Sequence, residues 1–99
     1  MMYQYSIKGI SEAERWIFVS SDDEWDTEES DSFAFLMKKI RDRVDGHIVE
    51  LDEMCYGIPE DGMSLRYQWD TLFGITVIYP ESTPLEKVTS FLFSVFSPK

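Results

Sequence analysis

At Ser32 the spacing of the apolar residues changes, and that change constrains the fold more than any other feature of the chain. Phe33, Leu36, Met37, Ile40 and Val44 fall at i, i+3, i+4, i+7 and i+11, a single stripe of an α-helix. On either side the apolar residues keep a period of two, as half-buried strands do. Tyr3, Tyr5 and Ile7 alternate with Gln4, Ser6 and Lys8, and Gly9 is expected to end that strand. Trp16-Ile17-Phe18-Val19 is apolar on both sides of the pleat and β-rich, which predicts a short strand covered on both faces. A helix starting at Ser11-Glu12-Ala13-Glu14 is the competing reading of that stretch.

The central helix carries its own boundary signals. Ser30 or Asp31 is suited to cap its N-terminus, and Asp45-Gly46 to stop it. Acids precede it, and Lys38, Lys39, Arg41 and Arg43 occupy the later turns, the arrangement that a helix dipole favours. Three strands are expected next. His47 to Cys55 alternates through Val49 and Leu51, and Pro59-Glu60-Asp61-Gly62 reads as a turn. Met63, Leu65, Tyr67 and Trp69 form one alternating set, and Phe73, Ile75, Val77 and Tyr79 the next, across a turn near Asp70-Thr71. Thr83-Pro84-Leu85-Glu86 has the form of a capping box for a last helix, with Leu85, Val88, Leu92, Val95 and Phe96 as its stripe. The expected class is therefore α+β, one domain over 1–99 in the order β-β-α-β-β-β-α. Two amphipathic helices would cover one face of an antiparallel sheet of about five strands.

Charge separates this chain from an average domain of its size. The formal net charge is −10, yet 43% of the residues are hydrophobic, so acidity does not imply disorder here. Seven acids fall between Asp22 and Asp31: Asp22, Asp23, Glu24, Asp26, Glu28, Glu29 and Asp31, with Trp25 among them. A second window without Lys or Arg, from Val44 to Leu65, holds Glu50, Asp52, Glu53, Glu60 and Asp61 besides Asp45. Such a balance argues against free nucleic acid and anionic membranes as partners, because both would be repelled. Carboxylates steer a basic protein instead, and Trp25 would supply an aromatic anchor. The expected interface is Asp22, Asp23, Glu24, Trp25, Asp26, Glu28 and Glu29, with a second arm at Glu50, Asp52, Glu53, Glu60 and Asp61.

Catalytic and cofactor chemistry finds little support in the residues. There is no Gly-rich phosphate loop and no zinc or hydrolase signature, so neither an enzyme nor a bound cofactor is expected. His47 and Cys55, if on one strand, would stand about 26 Å apart and could not form a dyad. Asp22, Glu24 and Asp26 alternate as calcium ligands do, but Thr27 stands where such a loop needs Gly and Phe33 where it needs Glu. A lone cysteine needs no oxidising compartment, and neither a signal segment nor a membrane span is visible, so a cytoplasmic location is expected.

In size, charge and domain type the chain resembles the small acidic inhibitors of bacteria and phages, above all the immunity proteins that neutralise a nuclease toxin. That resemblance implies stoichiometric occlusion of a basic toxin or nucleic-acid-processing enzyme, without turnover. An anti-CRISPR or DNA-mimic inhibitor rests on the same charge pattern. A non-catalytic adaptor, or a homodimer through the last helix, would need Phe91, Phe93 and Phe96 exposed together.

Overall fold

The computed structural model describes residues 4–22 and 29–97, and of Asp22, Glu29 and Ser30 the backbone alone. Six strands form one antiparallel sheet: β1 Gln4–Ser11, β2 Trp16–Asp22, β3 Val49–Asp52, β4 Cys55–Gly57, β5 Arg66–Asp70 and β6 Gly74–Ile78. Helix α1, Glu29–Val44, lies between β2 and β3, and α2, Leu85–Phe96, follows β6. The strand order across the sheet is β1-β2-β6-β5-β4-β3. After the β1–β2 hairpin, α1 therefore carries the chain to the far edge, and the β3–β6 meander returns to pair with β2. The class is α+β, with two helices and one strand more than the periodicity implied.

The additional strand comes from a turn that no Gly or Pro announces. The expected single strand from His47 to Cys55 breaks after Asp52, whose Oδ1 accepts the Glu53 N–H at 2.8 Å, while Met54 adopts φ 54°. His47 itself lies before β3 in irregular chain. At the other edge Gly9 does not end β1. Ile7 pairs with Val19 and Gly9 with Phe18, so Lys8 is the extra residue of a bulge, and the strand continues to Ser11.

Alternation decides what the core contains. Tyr5, Ile17, Val19, Tyr67, Ile75 and Val77 point to the face that the helices cover, and all are buried. Phe33, Leu36, Met37 and Ile40 of α1 and Val88, Leu92 and Val95 of α2 meet them, as the two stripes predict. Val44, Leu85 and Phe96 pack against this core while half-buried. Trp16 and Phe18 point to the opposite face, which no helix covers among the described residues.

The helix ends differ from expectation in each case for a stated reason. Helix α1 begins at Glu29, so Ser30 and Asp31 sit inside its first turn rather than ahead of it. At its C-terminus the left-handed residue is Asp45, φ 54°, not the glycine. The Gly46 N–H reaches the Arg41 carbonyl at 2.9 Å, which closes the helix in the Schellman manner. Gly46 is needed for another reason: a Cβ there would collide with the Glu60 side chain. The expected capping box of α2 does not form. Thr83 is buried, and its hydroxyl donates across the fold to the Met63 carbonyl at 3.0 Å. Pro84 stands just before the helix with no side-chain cap. The turn at Pro59–Asp61 is present as one 3-10 turn, closed by Gly62 at φ 72°.

Candidate partner interface

Strand direction sorts the charges to the two ends of the sheet. β2 pairs with β6 so that Val19 faces Ile75, and β5 pairs with β6 so that Asp70 faces Gly74. β4 starts opposite Gln68, and β3 ends opposite Cys55. The exit of β2, the β3–β4 turn and the β5–β6 turn therefore share one end of the sheet, and α1 starts there. Asp22, Asp31, Asp52, Glu53 and Asp70 stand at this end. Among the described residues no Lys or Arg joins them. Arg15, Arg41, Arg43, Arg66 and Lys87 all lie at or toward the opposite end, and Lys8, Lys38 and Lys39 lie between.

Buried polar contacts fix the acidic end. The Tyr5 hydroxyl donates to the Ser32 carbonyl at 2.7 Å, and the Ser21 and Ser32 hydroxyls are 2.8 Å apart. These bonds tie the first turn of α1 to β1 and β2, where burial makes an unmade hydrogen bond costly. Of the expected first arm, Asp22 closes β2 opposite Gln4 and Glu29 opens α1. Asp23, Glu24, Trp25, Asp26 and Glu28 lie outside the described residues, as do Thr27 and Tyr3.

The second arm is divided. Glu50, Asp52 and Glu53 are exposed on or beside edge strand β3, which a row of carboxylates also protects from pairing with another chain. β3 is four strands from β2, a separation of roughly 19 Å at ~4.8 Å per strand. Glu60 and Asp61 belong to the opposite end and already have partners. Glu60 Oε1 accepts the His47 N–H at 3.0 Å, and its Oε2 lies 2.7 Å from the His47 Nδ1. The His47 N–H above all holds the Glu60 carboxyl below its ordinary value. Asp61 Oδ1 accepts the N–H groups of Met63 at 2.7 Å and Ser64 at 3.1 Å, and Oδ2 accepts the Tyr67 hydroxyl at 3.0 Å. Burial first, and the Asp61 charge second, push the Tyr67 hydroxyl well above its usual range, so it stays a donor. Two carboxylates that composition groups with the interface thus hold the turn between β4 and β5 together.

Chemical candidates elsewhere are separated by the fold. His47 lies in the irregular chain before β3 and Cys55 at the start of β4, at opposite ends of the sheet. The Cys55 thiol is raised by burial, partly offset by the Arg66 charge, and so is not activated as a nucleophile. A cavity of about 240 Å³ between α1 and β4 is lined by Phe33, Ala34, Met37, Ile48, Met54 and Tyr56, with no carboxylate or histidine. No group of His, Cys, Asp and Glu suited to hold a metal ion occurs among the described residues, and no described helix is long and apolar enough to cross a membrane. In α2, Phe93 is exposed while Phe91 and Phe96 pack against the core, so the three are not exposed together.

Sequence reasoning missed an aromatic cluster on the helix-free face. The ring centroids of Trp16, Phe18 and Phe73 are mutually 5.9 to 6.0 Å apart. The strand Trp16–Val19 was expected to be covered on both faces, but no described helix covers the side of Trp16 and Phe18; only Phe73, folding back from a turn with no sequence signal, packs on them there. Comparison with protein-family models, curated proteins and solved structures finds no match to this chain.

Proposed function

We propose that this chain is a non-catalytic binding protein that neutralises a basic macromolecule by covering its working surface, in the manner of an immunity protein against a nuclease-type toxin. The observation that carries this reading is the sorting of charge. Asp22, Asp31, Asp52, Glu53 and Asp70 share one end of the sheet, with no Lys or Arg among the described residues there. A single-signed end raises the encounter rate with an oppositely charged partner and fixes its approach. The hydrogen bonds among Tyr5, Ser21 and Ser32 keep that end in place before binding, which lowers the entropy lost on association. A DNA-mimic inhibitor uses the same surface, and differs only in which basic protein it occludes.

The test is titration of the purified chain into a basic nuclease domain encoded beside it, following binding and nuclease activity together. One equivalent is expected to abolish activity, with affinity falling as salt rises from low to physiological. Affinity that ignores salt, or that survives charge reversal of Asp22, Asp23 and Glu24, overturns the reading.

A further inference from the structure

Strand β3 is the last strand on its side of the sheet, and its outer edge pairs with no described strand. Such an edge presents backbone N–H and C=O groups that an added strand can use. The two faces of β3 differ in chemistry. Glu50 pairs with Tyr56, and Tyr56 with the buried Tyr67, so the Glu50 side chain stands on the helix side of the sheet. Tyr56 lines the cavity of about 240 Å³ under α1 together with Phe33, Met37, Ile48 and Met54, and no Lys or Arg lines it. Ile48, just before β3, and Met54, just after it, place that cavity alongside the edge strand. On the opposite side Val49 pairs with Gly57, and Gly57 with Arg66. There the exposed Leu51 lies so close over Gly57 that an added Cβ would come to 3.2 Å from its Cδ1. Val49, Leu51 and Arg66 line one shallow hollow on that side.

Resting on the function proposed above, we infer that β3 takes up an extended segment of the basic partner as a further strand, in which Lys or Arg alternates with aliphatic residues. Charge selects the occupant on each face. The carboxylates of Glu50 and Glu53 are exposed and have no hydrogen-bond or ion-pair partner among the described residues. On the helix side the stem of a Lys or Arg can lie against the apolar cavity wall while its cation reaches Glu50. Arg41, one turn beyond Met37 on α1, is already bonded to Asp42 and does not answer that carboxylate. On the other side Arg66 disfavours a second cation, and Val49 and Leu51 offer contact to an aliphatic residue. Main-chain hydrogen bonds then supply affinity, and the alternate side chains specificity. A second copy of this chain, paired through β3, would set its own Glu50 and Glu53 against these carboxylates. The acids that guard the edge against indiscriminate pairing thus select the strand it accepts.

The test uses two synthetic hexapeptides of equal charge and composition, acetyl-Lys-Val-Lys-Val-Lys-Val-amide and acetyl-Lys-Lys-Lys-Val-Val-Val-amide, titrated into the isotope-labelled full chain and followed by NMR. The alternating peptide is expected to shift the amides of Val49, Glu50 and Leu51 and to slow their hydrogen exchange. The block peptide is expected to bind at least about fivefold more weakly. Glu50→Lys is expected to weaken the alternating peptide about tenfold, equivalent to about 1.4 kcal/mol. Alternate amides of an added strand face β3, so N-methylation of the Lys amides in one peptide and of the Val amides in another is expected to abolish binding in one case only. Loss in both, or in neither, overturns strand addition. Equal binding of the alternating and block peptides, with shifts spread over Glu53 and Asp70, also overturns it and leaves the charge-steered reading standing. Binding of neither peptide overturns the inference, and the nuclease titration above then decides the function by itself. A dimer of the protein alone that shifts the β3 amides, read by sedimentation and NMR together, overturns it as well and assigns the edge to a second copy.

Discussion

The two ends of the sheet use the same residue types for different work. At the end where β4 passes to β5, carboxylates are answered by the fold itself: Glu60 by His47, and Asp61 by two backbone N–H groups and the Tyr67 hydroxyl. Cations are interspersed there, and Arg41 contacts Asp42 at 3.1 Å on an exposed surface, where such a pair contributes little. At the other end Asp52 and Asp70 accept N–H groups of their own turns, and among the described residues no Lys or Arg stands near. One end spends its acids on stability. The other leaves Glu50 and Glu53 exposed, the surface on which the proposed function relies. Acidity along a chain therefore does not measure acidity available for binding.

The difference can be broken most sharply at Asp61. Asp61→Ala strands the buried Tyr67 hydroxyl and frees the turn, and should cost about 2 kcal/mol in urea unfolding. Glu53→Ala, at the acidic end, should stay within about 0.5 kcal/mol of the parent in the same measurement. Equal costs would erase the distinction between the ends.

Glu60 sharpens it through pH. Because the folded carboxyl titrates below its ordinary 4.5, the unfolded chain takes up the proton first as pH falls. The stabilisation is therefore complete above about pH 4.5 and is lost as pH falls through the lower folded-state value. Glu60→Gln should flatten that part of the stability–pH curve, read as thermal midpoints across the acid range, and Glu53→Gln should leave it in place.

Neutralising the acidic end should act in the opposite sense. The double change Asp52→Asn and Glu53→Gln removes two like charges and should raise stability by a few tenths of a kcal/mol at most, an effect that fades in about 1 M salt. A loss larger than about 1 kcal/mol would mean that these carboxylates hold the fold. Smallest of all, Leu72→Ser should leave the unfolding midpoint unchanged within error, since the side chain it removes is already in water.

Local pattern was enough for the stripe of α1, the inward alternation of β5 and β6, and the turn at Pro59–Asp61, because each depends on residues within a few positions of one another. The β3–β4 turn was not legible, because Asp52 and Met54 build it without Gly or Pro, from one side-chain hydrogen bond and a left-handed residue. Thr83 looked like a helix cap until the Met63 carbonyl, 20 residues earlier, claimed its hydroxyl. The site divides in the same way. How many carboxylates the chain carries, and that they come in runs, is a property of the sequence. Where each of them stands is decided by strand direction and register, which bring Asp22, Asp52 and Asp70 to one end and take Glu60 and Asp61 to the other. Long-range pairing sets where a charge points, and no window of sequence contains its partner strand.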